Sequence, residues 1–297
     1  MRYSCTRSNG VTISIPCDLI ARDRSAYQDI AIINTQAFGR MLILDGVVNL
    51  ADSHNDVIHE SLYCPAVCGA IEQDHGARVL ILGGGDFLGA KLALSYKEVL
   101  SVTLVELDPM VSNMVSQHII DDLDFLKDPR LNITYSDATE WIESADLSAY
   151  DVIVLDMTDP TGISSSLYSM SFLERLKPWV NNGGVISTQC DSPATIGHDY
   201  YRIIKHYQEV FGVHLVNPYR IWIHPYFEMF GRIMVGSPSL EAAAYRYVRK
   251  TRHQWINERL MSAMFDYAHD IDYEREINVV KTGERVDAPS VAEWTIG

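Results

Sequence analysis

Arg78-Val79-Leu80-Ile81-Leu82-Gly83-Gly84-Gly85-Asp86 is the stretch that decides how this chain folds. Its apolar residues run without alternation, as in a strand covered on both faces, and they lead straight into three glycines. Glycine lets the backbone turn sharply and approach a ligand closely. A helix is expected over Phe87 to Tyr96, followed by a second apolar strand, Val102-Thr103-Leu104-Val105-Glu106. Strand, glycine turn, helix and strand make up the repeating unit of a parallel sheet.

The same grammar continues outward. Strands are expected at Asn132 to Tyr135, Asp151 to Leu155 and Val185 to Thr188, with helices over His59 to Ala70, Pro109 to Ile119 and Met170 to Val180. The alternation predicts an α/β fold, a Rossmann-like, doubly wound, mostly parallel sheet over residues 58–240. Residues 1–57 read differently. Val11 to Ile15, Gln28 to Ile33 and Arg40 to Leu44 alternate at period two between turns at Asn34, Gly39 and Asp45-Gly46, which predicts a small antiparallel β lobe. Residues 241–297 turn polar and helical and lose periodicity beyond Asp270; they read as a C-terminal extension with no assigned place in the core.

With 297 residues, 47% of them hydrophobic, the chain can bury a large core. No run approaches the ~18 apolar residues of a membrane span, and Met1 to Arg7 lacks the apolar centre of a signal peptide. The net charge of −15, with no cluster of lysine or arginine to offset it, argues against a nucleic-acid partner and suits cationic ligands. Five scattered cysteines suggest a reducing, cytoplasmic setting. Cys64 and Cys68 would share a helix face, but with no second pair or histidine couple nearby they read as buried thiols rather than a zinc site.

Each parallel strand ends in an acid. The first runs into Asp86, the second ends in Glu106, the third is followed by Asp137 and the fourth by Asp156. Ligands lie at the carboxyl edge of such sheets, so these acids should converge. Glu106 stands where nucleotide-binding sheets place the acid for ribose hydroxyls. Asp137, followed by Ala138, is suited to an adenine amino group. Asp86 after the glycines would repel a pyrophosphate, whereas a sulfonium nucleoside brings a positive charge. In Asp156-Met157-Thr158-Asp159-Pro160 two aspartates follow a buried strand, and the proline stops a helix from starting there. The plainer reading of that segment is a capped turn.

Taken together, these segments resemble the spermidine synthases, a family of aminopropyltransferases. The resemblance runs from about residue 25 to 236. It rests on Tyr27-Gln28-Asp29-Ile30, Gly39 to Asn49, His59-Glu60, Gly83-Gly84-Gly85-Asp86, Val105-Glu106-Leu107-Asp108, Asp137-Ala138 and Asp156-x-x-Asp159-Pro160, in the family's order and spacing. It implies a class I methyltransferase-like sheet and aminopropyl transfer from decarboxylated S-adenosylmethionine to an acceptor amine, releasing methylthioadenosine. No permanent cofactor or metal is implied, and a homodimer or homotetramer is expected. By resemblance, Gln28, Glu106, Asp137 and Ala138 hold the nucleoside, with Asn49 standing where the family has glutamine. Asp86 and His59 contact the aminopropyl donor or the amine. Asp156 accepts a proton, Asp159 anchors the acceptor's ammonium, and Tyr226 lies near the amine. Asp191 and Glu228 are candidates for a distal ammonium.

The chain departs from the family pattern in three places. Phe87 and Leu88 replace glycines after Asp86 and should narrow the donor pocket. Ile58 replaces a tyrosine before His59, and Phe227 to Phe230 replaces a Pro/Gly-rich stretch. An acceptor other than putrescine follows as an expectation. Two other readings stay open: an amine N-methyltransferase using intact S-adenosylmethionine, and a non-catalytic polyamine-binding subunit. Asp86 separates aminopropyl transfer from the methyltransferase reading, because it would repel a donor carboxylate and no obvious cation stands beside it in the sequence.

Overall fold

The computed structural model describes residues 1–7, 11–74, 76–160, 162–193, 200–266 and 291–297. The N-terminal part supplies six strands: β1 (Arg2–Arg7), β2 (Thr12–Pro16), β3 (Asp18–Arg24), β4 (Asp29–Thr35), β5 (Gly39–Leu44) and β6 (Val47–Ala51). β3 to β6 form a four-stranded antiparallel sheet in chain order. β4 and β5 stand where strands were expected, but the expected alternation is not seen: Ile30 to Ile33 and Met41 to Leu44 are buried on both faces, feeding one apolar cluster on each side of the sheet. β3 was not legible, because it is an outer strand with exposed, largely polar side chains and no apolar face to read.

A long helix follows, α1 (Asn55–Asp74), and then the alternating region: β7 (Ala77–Gly83), α2 (Leu88–Ser95), β8 (Val99–Glu106), α3 (Pro109–His118), β9 (Leu131–Tyr135), α4 (Ala138–Ser144), β10 (Val152–Asp156), α5 (Met170–Asn181), β11 (Val185–Gln189) and α6 (Tyr200–Phe211). β12 (Val216–Ile223) and β13 (Glu228–Val235) close the sheet as an antiparallel hairpin, giving the order β12-β13-β11-β10-β7-β8-β9. β11, β10, β7, β8 and β9 pair in parallel. Val79 to Leu82 and Val152 to Leu155 are fully buried, as the unbroken apolar runs require. After β7 the chain winds out to β8 and β9, then returns to lay β10 on the other side of β7. The carboxyl ends of β7 and β10 are therefore the switch point of the sheet, where a crevice opens.

Local chemistry starts several helices. The Asp108 side chain caps α3 at the Met110 N–H with Pro109 in the first turn, Asp137 caps α4, and Ser169 caps α5. The extension is where the structure goes beyond the reading. α7 (Ser239–Lys250) and α8 (Glu258–Phe265) place Leu240, Ala244, Tyr247, Val248, Ile256, Met261 and Met264 in one core with α1 and β7. α7 lies close enough to α1 that a side chain at Gly69 would collide with Leu240. β14 (Val291–Ile296) pairs with β1 to complete a three-stranded sheet, β14-β1-β2. The loss of periodicity read beyond Asp270 falls mostly on residues outside those described. Among the described residues, no helix is long and apolar enough to cross a membrane.

Candidate active site

The carboxyl ends of β7, β8 and β10 open into a cleft of ≈ 950 Å³, lined by Gln28, Asn49, Asp86, Glu106, Asp137, Ala138, Asp156 and Tyr226 among others. A second chamber of ≈ 670 Å³ shares Asn49, Gln189 and Tyr226 with the cleft and adds Asp159, Asp191 and Glu228. The strand-end acids do converge. Their approach depends on the glycine turn. Gly83 and Gly84 take positive φ of 87° and 70°, and a Cβ on Gly83 would stand 2.1 Å from the Asp156 carbonyl oxygen. A Cβ on Gly85 would stand 2.8 Å from the Glu106 carboxylate. Any larger residue in this turn would push the acids apart.

Glu106 accepts the Asp108 N–H at Oε1 (2.7 Å). Burial, reinforced by the neighbouring Asp108, Asp86 and Asp156, pushes its pKa up to about 7. Asp137 is committed more heavily than its reading suggested. Its Oδ1 accepts the Thr139 N–H at 2.7 Å and hydroxyl at 2.5 Å, and the Glu140 N–H at 3.4 Å. Burial alone would raise its pKa, but these bonds hold it below the usual value. Oδ1 is thus a cap, and only Oδ2 is left for a ligand. Gln28 likewise spends its amide donor on Asp108 Oδ2 (3.0 Å), which also receives the Ser25 hydroxyl (2.6 Å). Asn49 donates to the Val47 carbonyl (3.0 Å), and its own carbonyl accepts the Tyr226 hydroxyl (2.7 Å).

Contrary to the expectation from the sequence, a cation does stand beside Asp86. His59 Nε2 lies 3.2 Å from Asp86 Oδ2, its Nδ1 donates to the Asn55 carbonyl at 2.7 Å, and both side chains are largely shielded from solvent. Burial would favour the neutral ring, but Asp86, Asp156 and the Asn55 carbonyl raise the His59 pKa to about 9. The same contact, with the Leu88 N–H, outweighs burial and lowers the pKa of Asp86. The pairing was hidden because it joins α1 to the glycine turn, 27 residues on.

Asp156 Oδ2 accepts the Tyr63 hydroxyl at 2.8 Å. Burial and the charge of Asp86 raise the Asp156 pKa, while His59, Tyr63 and Arg232 oppose them. A carboxylate with a raised pKa beside a ligand cavity is suited to accept a proton. Tyr63 was not singled out from the sequence. A side chain at Gly89 would strike its ring, so the glycine makes room for it.

A scan against family models matches residues 56–245 to the spermine/spermidine synthase domain and residues 10–52 to the spermidine synthase tetramerisation domain. The chain belongs to the spermine/spermidine synthase family. Polyamine aminopropyltransferases of Prochlorococcus marinus are similar to it: the strain NATL1A protein is 32% identical over 258 residues, 84% of each chain. The strain NATL2A protein is 35% identical over 204 residues, 68% of this chain and 69% of that one. Two solved spermidine synthases share the fold. One, in complex with the transition-state analogue AdoDATO, has a TM-score of 0.83 at 21% identity, covering 94% of this chain and 95% of that one. The other, from Thermotoga maritima, has a TM-score of 0.81 at 22% identity, covering 94% of each.

The departures from the family pattern divide. Phe87 does not narrow the cleft: it takes a left-handed φ of 63°, is 3% exposed and packs into the α1 core, while Leu88 packs toward α3. Phe227 is 45% exposed and meets Phe38 edge-on, so it does not line the second chamber. Ile58 and Phe230 are the replacements that matter, since Ile58 lines the cleft, Phe230 lines the chamber, and they share one apolar cluster. Glu60, adjacent to His59 in the family motif, faces away from the chemistry. Its carboxylate accepts the N–H groups of Gln254, Trp255 and Ile256 at 2.8, 2.9 and 2.7 Å.

The cysteine pair also has a histidine that the sequence did not suggest. Donor atoms of Cys64, Cys68 and His253 lie within 4.8 Å of one another, a set that could hold a metal ion. Tyr96 Oη bridges Cys64 Sγ (3.1 Å) and His253 Nε2 (3.0 Å) in a hydrogen-bonded network, and none of the three lines the cleft.

Proposed function

We propose that this protein transfers an aminopropyl group from decarboxylated S-adenosylmethionine to an acceptor amine and releases methylthioadenosine. The observation that carries this is the convergence of Asp86, Glu106, Asp137 and Asp156 on one cleft that opens into a chamber holding Asp159, Asp191 and Glu228. In this reading Glu106 takes the ribose hydroxyls, Asp137 Oδ2 and Ala138 the adenine, and Gln28 and Asn49 complete the nucleoside wall. Asp86, paired with His59, faces the donor's amine. No resident cofactor or metal is required.

The acceptor nitrogen must lose a proton before it attacks, because an alkylammonium titrates near 10. Asp156 accepts that proton. The freed lone pair forms the new bond to the terminal carbon of the aminopropyl group, the carbon–sulfur bond breaks, and its electron pair stays on sulfur. Positive charge moves from sulfur to nitrogen, so a fixed carboxylate beside the nitrogen stabilises the transition state more than the ground state. Asp159 and Tyr226 position the acceptor, and Asp191 and Glu228 hold a distal ammonium. The apolar wall of Ile58 and Phe230 suits methylenes and favours an acceptor other than putrescine.

The homologous tetramerisation segment supports a homo-oligomer, a dimer or tetramer, and the net charge of −15 supports a cytoplasmic enzyme without nucleic-acid or membrane partners. We keep residues 1–57, 58–240 and 241–297 as lobe, catalytic domain and extension.

Incubation with each sulfonium donor and a panel of amines, with products identified by mass, tests the reaction. Aminopropylated product from the decarboxylated donor is expected. A methylated product would favour the methyltransferase reading, and tight amine binding without turnover would favour a silent subunit. The His59 cation beside Asp86 weakens the repulsion of a donor carboxylate, which without it would be roughly 4 kcal/mol at 4 Å and an effective dielectric of 20. The donor preference is therefore expected to be real but moderate, about 10- to 100-fold by calorimetry.

A further inference from the structure

Behind the amine chamber sits a cation that transfer to a simple diamine does not need. Arg232, on β13, is 1% exposed and heads the largest fully buried side chains. Its strand partners are Gln189 and Tyr219. Among the described residues its one hydrogen bond is long, Nη1 to Gln189 Oε1 at 3.4 Å, and Nε has no partner; the guanidinium carbon stands 5.0 Å from the Phe230 ring centre. It enters no ion pair among the described residues. A guanidinium does not give up its proton, and burying one without an anion is costly. Its hydrogen-bond partner Gln189 and its ring partner Phe230 both line the chamber in front of it, and its charge reaches Asp156 and Tyr226 at the reacting end.

We propose that the acceptor carries a carboxylate as well as its amines, and that Arg232 is the residue that recognises it: the acceptor is an α,ω-diamino acid. This rests on the aminopropyl reading. Gln189 then serves as a placeholder, its amide oxygen sitting on Nη1 until a ligand carboxylate takes Nη1 and Nη2 as a planar pair. The ammonium groups fall to Asp159, Asp191 and Glu228, and the methylenes to Ile58 and Phe230. A site built for an uncharged or purely cationic ligand would gain nothing from a buried arginine, which repels ammonium. A recognition site for carboxylate needs an unsatisfied fork of this kind. The carboxylate takes no part in the bond changes. Nitrogen still attacks carbon, sulfur still leaves with the electron pair, and Asp156 still takes the proton.

Pairs of acceptors that differ only by the carboxylate provide the test: ornithine against putrescine and lysine against cadaverine. Binding is read by calorimetry in the presence of methylthioadenosine, and transfer from decarboxylated S-adenosylmethionine by mass. The wild-type protein is expected to bind the amino acid of each pair at least ~10-fold more tightly, as one charge-assisted pair allows. Arg232→Met should reverse that ratio, with donor binding as the control for folding. If Arg232→Met does not fold, Gln189→Glu, nearly unchanged in volume, supplies an internal anion to Arg232 and should abolish the preference. Tighter binding of the plain diamines by the wild-type protein, or a ratio that neither substitution moves, overturns the proposal. So does an Arg232-dependent preference for intact over decarboxylated S-adenosylmethionine, which would assign the carboxylate to the donor. The two readings fail separately. Carboxylate-selective binding without aminopropylated product would sink the proposed reaction, and product from putrescine but not ornithine would sink only this inference.

Discussion

His59 and Asp86 form a buried ion pair, 3.2 Å between Nε2 and Oδ2, that ties the first long helix to the glycine turn. Its charge state sets a pH dependence. His59 has its pKa raised to about 9, so its contribution to stability is complete below the ordinary histidine value near 6.5 and is lost as pH rises through 9. The Asp86 pKa is lowered, so that carboxylate's contribution is present above its ordinary value and is lost in acid.

Replacing His59 by glutamine should therefore cost most between about pH 4.5 and 6.5, roughly 3 kcal/mol as an upper figure. The difference from wild type should shrink toward zero by about pH 9.5. Denaturant unfolding at a series of pH values measures it, and a difference independent of pH would show that the pair is not charged.

Asp156→Asn keeps the shape of the side chain and removes its negative charge. Turnover should fall by ~10²-fold or more while nucleoside affinity changes little. Steady-state rates together with calorimetry of methylthioadenosine separate the two. A parallel collapse of affinity would make Asp156 a binding residue instead.

Tyr63→Phe removes the hydroxyl that donates 2.8 Å to Asp156. That bond lowers the Asp156 pKa, so without it the carboxylate titrates at higher pH. The acid limb of the kcat profile should move to higher pH, with turnover at neutral pH down by ~3- to 10-fold. An unmoved acid limb would mean that Asp156 does not control the profile.

Glu60→Ala strips three buried or half-buried N–H groups of their acceptor. A loss of ~3 kcal/mol or more in unfolding free energy is expected, with KM for the donor little changed at low temperature. If stability held and donor KM rose sharply, Glu60 would belong to the site.

Much of the site could be read along the chain because its cause is local. Asp86, Glu106, Asp137 and Asp156 each follow an apolar run long enough to be a buried strand, and parallel strands deliver their ends to one edge whatever else the molecule does. The caps at Asp108 and Asp137 have an equally local cause, bonding within three residues, but neither was expected from the sequence, where Asp137 was given to the ligand alone. The N-terminal hairpin of β4 and β5 followed from two apolar runs and a glycine turn, although both strands are covered on both faces rather than one.

What tertiary structure alone decided involves residues far apart in sequence, or residues whose type suits two environments. Tyr63 and Asp156 are 93 positions apart, and Glu60 meets the backbone at Gln254 to Ile256 nearly two hundred residues on. No pattern within a window links them. Phe87 and Phe227 looked alike as apolar bulk near the amine, yet positive φ at each sends one into the core and the other to the surface. Arg232 reads as one more outward residue of an edge hairpin. Only the packing of β13 between β11 and β12 makes it a buried charge, and burial turns an ordinary arginine into a site.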